Sequence, residues 1–193
     1  IGSLAWFTAN DDVTNTVRLS NKFDVDVYET DPETQQPTAV GHDNEGVTYK
    51  DIMPGQVIAK DATVKNTCEH DQWVRVKVTV SDYAIWSTIV TEGTDLTTIF
   101  GEFSPDKWAR IDNPEVDAAA DTITYTFYMN DVLHGGQEQK LFESVKIPGA
   151  LTFEQAQAMN EFTITVAVEA IQAEFLPDGV DTAPEAFALL ENN

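Results

Sequence analysis

A single cysteine excludes an intrachain disulfide, so Cys68 has no partner in its own chain and the fold must rest on its apolar core. Basic residues are scarce too: eleven Lys and Arg stand against 33 Asp and Glu, giving a formal charge of −22. A surface of that sign repels nucleic acid and anionic membranes, and favours solubility, divalent cations and basic partners. No apolar run reaches the about 18 residues of a membrane span, so the mature chain is not expected to insert into a bilayer. The three histidines, His42, His70 and His134, are too far apart to form a His-Glu-x-x-His zinc motif. Cys68-x-His70 supplies at most half of a zinc site. There is no Gly-x-Ser-x-Gly elbow and no Gly-rich phosphate loop. These absences predict no catalytic residue, no cofactor and no enzyme.

What the chain has in quantity is period-two alternation. Phe23, Val25 and Val27 alternate with Asp24, Asp26 and Tyr28. Val74, Val76, Val78 and Val80 alternate with Trp73, Arg75, Lys77 and Thr79. Ile123, Tyr125, Phe127 and Met129 share a side, as do Phe162, Ile164, Val166 and Val168. Each run reads as a half-buried strand with one wet face. Weaker strands are expected at 56–65, 106–111 and 140–147. Turn signals separate them: Asp31-Pro32, Pro54-Gly55, Asn113-Pro114, Gly135-Gly136, Pro148-Gly149 and Pro177-Asp178-Gly179. The polar stretch 30–46 predicts a long exposed loop. Helix is expected only within 82–100 and at 153–159. Seven or eight strands of this kind predict an all-β, two-sheet antiparallel β-sandwich, jelly-roll-like, with one or two short helices in the connections. A length of 193 residues fits one core.

The amino end is apolar up to Ala9 and turns polar at Asn10, Asp11 and Asp12. Ser3 and Ala5 are small residues two apart, the spacing a bacterial signal peptidase reads at its −3 and −1 subsites. The expected organisation is therefore a leader remnant over 1–5, an amino-terminal strand or assembly arm over 6–21, and a single domain over 22–193. Once freed, Leu4 and Trp6 would project from one side of an extended arm and Phe7 from the other, suited to a groove at a sheet edge. Burying Trp6 and Phe7 would contribute on the order of 3–6 kcal/mol. The alternative is that the arm packs on its own domain as a first strand. No sortase-type signal follows Ala183, so retention at a wall would be non-covalent.

Several pieces recur in a familiar order. They are Gly2-Ser3-Leu4-Ala5-Trp6-Phe7-Thr8, Pro54-Gly55, Val64-Lys65-Asn66-Thr67, and Trp73-Val74-Arg75-Val76-Lys77-Val78. Then come Tyr125-Thr126-Phe127-Tyr128, Val132-Leu133, Leu141-Phe142, Val145-Lys146-Ile147 and Glu169-Ala170-Ile171-Gln172-Ala173-Glu174. In this order, over about 170 residues, the chain resembles the TasA/camelysin family of exported bacterial surface and biofilm-matrix proteins. The resemblance implies a jelly-roll domain and secretion to the extracellular matrix or cell surface of a bacterium. It also implies self-association into fibres in which the freed amino-terminal segment completes the sheet of the next subunit, with other matrix proteins as further partners. The loop 30–46 and the segment 82–104 match no motif of that family.

Two other functions remain open at this point. One is a surface metallopeptidase, the activity assigned to the camelysin branch. The other is a monomeric adhesive or carbohydrate-binding module, for which Trp6, Trp73, Trp86 and Trp108 are the candidate platform; Trp73 falls on the polar side of its strand. Asp43, Glu45, Asp178 and Asp181 are the oxygen-rich loop residues suited to weak Ca2+ binding, and none matches an EF-hand loop.

Overall fold

A computed structural model describes residues 8–11, 25–30, 37–39, 47–50, 53–89, 100–101, 104–110, 113–159 and 161–191. The elements among them run β1 (Thr8–Asp11), β2 (Val25–Thr30), β3 (Pro37–Ala39), β4 (Val47–Lys50), β5 (Val57–Asn66) and β6 (Gln72–Ser81). Next come α1 (Tyr83–Ile89), β7 (Phe100–Gly101), β8 (Trp108–Arg110), β9 (Glu115–Asp117), β10 (Thr122–Met129) and β11 (Glu138–Lys146). The chain closes with α2 (Phe153–Met159), β12 (Glu161–Gln172) and α3 (Ala183–Glu191). The described residues are mostly β, in two antiparallel sheets with three short helices among them.

In the first sheet β6 lies between β12 and β10; β1 and β4 pair with β12, and β8 and β9 with β10. The second sheet has the order β3-β2-β5-β11-β7. The alternation seen in the sequence sets the faces. Val74, Val76, Val78 and Val80 are each 0% exposed, and burying such a side chain contributes about 1.5–3 kcal/mol. Ile123, Tyr125, Phe127 and Met129 on β10 are buried in the same way. They share one core cluster with Val64, Leu141, Phe142 and Val145 of the second sheet. Register shifts in β11 on either side of Phe142 let consecutive Leu141 and Phe142 both be buried.

Two helices sit where the sequence expects them. Trp86 anchors α1, fully buried with its ring edge-on to Phe162 at 5.2 Å between centroids. The side chain of Asp121 accepts the Ala84 N–H at 2.8 Å, satisfying a donor in the first turn of that helix. A reciprocal cap starts α2, with Thr152 Oγ1 accepting the Gln155 N–H and Gln155 Oε1 accepting the Thr152 N–H. The third helix, α3, is absent from the sequence expectation, which confines helix to the connections. The expected loop 30–46 differs as well, because β3 interrupts it at Pro37–Ala39.

Candidate assembly edge and its cover

The twelve-residue β12 organises the candidate site. Along one side it pairs with β6 from Ile164 to Gln172. On the other side β4 covers Glu161–Ile164 and β1 covers Val168–Ile171. Thr165, Val166 and Ala167 face neither of those two strands. The amino-terminal strand is therefore a four-residue edge strand seated on its own chain, with Thr8 opposite Ile171 and Asp11 opposite Val168. Leu4, Trp6, Phe7, Ser3 and Ala5 lie outside the described residues.

The outer face of this region is covered. Register places Trp73 beside Ile171, and Arg75 between Glu169 and Tyr128. Helix α3 lies over them, and Trp73, Ile171, Ala183, Ala186 and Phe187 form a second apolar cluster distinct from the main core. Trp73 is 8% exposed, so its unusual position on the polar side of β6 is explained by the helix above it. Arg75 joins the layers. Its Nε pairs with Glu169, its Nη1 donates to Glu191 Oε1 at 2.8 Å, and its guanidinium carbon stands 4.4 Å from the centroid of the Phe187 ring. Burial works against the Arg75 charge, but hydrogen bonds with Tyr128, Glu169 and Glu191 outweigh it and raise its pKa. The helix is capped by Thr182 and Glu185: Glu185 Oε2 accepts the Thr182 hydroxyl at 2.8 Å and the Asp181 N–H at 3.0 Å. The Asp181 N–H first, then the Thr182 hydroxyl, pulls the Glu185 pKa below the ordinary carboxylate range.

At the end of the sheets near Ile171, the loop from β5 to β6 is built around Asn66, which is 0% exposed. Its Nδ2 donates to the carbonyls of His70 (2.7 Å) and Leu133 (2.9 Å), while its Oδ1 accepts the Cys68 N–H and thiol, both at 3.0 Å. Cys68 also accepts a hydrogen bond from Gln72 Nε2 at 3.2 Å. Gly135 is required beside this loop, because a Cβ there would stand 2.7 Å from the Glu69 carbonyl oxygen. A shallow cleft of about 260 Å³ is lined by Thr67, Cys68, Glu69 and His70. Two exposed imidazole–carboxylate pairs lie at this loop, His134–Asp71 at 2.8 Å and His70–Glu174 at 3.4 Å.

The remaining candidates are scattered. His42, Asp43 and Glu45 lie outside the described residues, and Asp178 and Asp181 are exposed. Among the described residues, no three of His, Cys, Asp and Glu stand together so as to hold a metal ion. The three described tryptophans are buried, Trp86 at 0%, Trp108 at 1% and Trp73 at 8% exposure, so none of them offers a sugar-stacking face. Sequence reasoning missed α3 and the Arg75 junction. The signal for the helix was present, since Thr182-Ala183-Pro184-Glu185 is a capping box followed by Ala186, Phe187, Leu189 and Leu190. No protein-family model matches the chain, and no curated protein or solved structure matches it at a significant level.

Proposed function

We propose that the two sheets form a jelly-roll-type sandwich and that the protein is an exported structural subunit. It assembles by lending its amino-terminal strand to the sheet edge of the next copy. The observation that carries this reading is the seat of β1. β1 pairs with β12 over four residues at the sheet edge, and main-chain pairing of this kind is one that a copy of the same strand can reproduce. Ahead of β1 the sequence is apolar at Leu4, Trp6 and Phe7, a composition suited to a sheet edge presented by a neighbour. The buried tryptophans favour this over a carbohydrate platform, and a surface metallopeptidase draws no support from the positions of His70 and His134.

The test compares protein beginning at Trp6 with protein still carrying residues ahead of Ser3, by light scattering and electron microscopy in acid, in salt and with calcium. Filaments from the first form and none from the second support the reading. Two forms that both stay monomeric in all three conditions refute it.

A further inference from the structure

The segment joining β12 to α3 contains the most strained backbone among the described residues. Three non-glycine residues among them have left-handed backbone, and two of these, Asp82 and Asp121, are aspartates, which tolerate it. The third is Phe175, at φ +60, in the joining segment. A bulky aromatic in that conformation is a genuine outlier, and the residue is 87% exposed, so no packing of the side chain offsets the strain. Beyond it, Leu176, Val180, Phe187 and Leu190 join the second apolar cluster with Trp73 and Ile171, apart from the main core. The stretch from Leu176 to Glu191 is thus a compact cover with its own seat, its own charge lock at Arg75–Glu191, and a strained hinge at its root.

We propose that this cover exchanges between two copies: with Phe175 relaxed to an extended conformation, α3 leaves its own sheet and docks on Trp73, Arg75 and Ile171 of a second molecule. The interface is isologous, each copy giving a helix and receiving one. Every contact of the closed form is remade, including Glu191 with Arg75 and Phe187 beneath that guanidinium. Both hinges lose their strain, which offsets part of the entropy of association. The exchange does not use the amino-terminal strand, so the two readings stand or fall separately.

The decisive test is a charge exchange in the full chain. Arg75→Glu alone sets a carboxylate on β6 against Glu191. Glu191→Arg alone sets a second guanidinium against Arg75. Only a swapped mixed dimer restores opposite charges in both seats. Native mass spectrometry of the equimolar mixture is expected to show a 1:1 mixed dimer at least tenfold above the dimer of either variant alone. A mixed dimer no more abundant than those overturns the exchange, whatever filaments the amino-terminal strand forms. The hinge gives an independent measurement by sedimentation. Phe175→Pro cannot hold φ +60, whereas Phe175→Gly holds it without strain. The first is expected to raise the dimer association constant about tenfold, equivalent to about 1.4 kcal/mol, and the second to lower it. Equal dimerisation of the two hinge variants also overturns the proposal.

Discussion

The guanidinium carbon of Arg75 stands 4.4 Å from the centroid of the Phe187 ring, while the same side chain pairs with Glu169 and Glu191. One residue of β6 thereby ties the last helix to the strand that seats the first.

Phe187→Ala is expected to cost about 3 kcal/mol, because Phe187 is 1% exposed and sits at the centre of the second cluster. The loss should be local. Hydrogen exchange should accelerate across 183–191 and leave Val74–Val80 protected. Arg75→Ala should have a similar but smaller effect, since it leaves Glu169 partly buried without its cation. Uniform loss of protection in both variants would show that α3 is not a separable layer.

Acid should loosen the same helix. The folded pKa of Glu185 is lowered, so its contribution is fully present above the ordinary carboxylate pKa and is lost as the pH falls through the lowered value. The window therefore opens below about pH 4.5. Glu185→Gln should flatten this pH dependence, read as exchange protection of Ala186 and Phe187 between about pH 6 and about pH 3. An unchanged profile would remove Glu185 from the cap.

Asn66→Ala should be more costly than its size suggests. It leaves the buried Cys68 N–H without its acceptor, at about 1–3 kcal/mol, and takes one hydrogen bond each from the carbonyls of His70 and Leu133, which keep the Cys68 thiol and the Gln72 N–H. The practical readout is Cys68, which is 8% exposed in the native loop. Modification of its thiol by a soluble disulfide reagent should be slow in the native protein and at least tenfold faster in the variant. Equal rates would mean that Asn66 does not hold the loop.

Much of the β framework was legible because valine at every second position leaves little choice of face. Val74 to Val80 and Ile123 to Met129 turned inward as the alternation requires, and α2 occupies 153–159 as expected. The pattern fades where one strand is buried on both sides. Ala170 and Ile171 are consecutive and both 0% exposed, one against the core and one beneath α3, which breaks the alternation and hides the end of β12. Trp73 looked anomalous for the same reason. The Arg75 junction was out of reach, since its partners Glu169 and Glu191 lie 94 and 116 positions away. No local spacing encodes such a meeting.

Self-association of a chain with formal charge −22 works against its own field. Raising salt shortens the screening length from about 30 Å at 0.01 M to about 8 Å at 0.15 M. Filament onset should therefore come sooner at the higher ionic strength and sooner still with calcium. Assembly that is fastest at low salt would contradict an interface between like-charged copies.

Strand exchange at β12 is tested most directly by covalent trapping. In Cys68→Ser protein, Ala9→Cys is placed in one chain and Ala170→Cys in another, positions that face each other across the β1–β12 pairing. Opposed Cα atoms in an antiparallel pair are about 4.5–5.5 Å apart, within disulfide range. Mixed under filament-forming conditions and oxidised, the two chains are expected to yield disulfide-linked dimers of one Ala9→Cys and one Ala170→Cys chain. If the mixture yields no such dimers while the double variant closes the bond within a single chain, β1 stays at home and the assembly proposal is wrong.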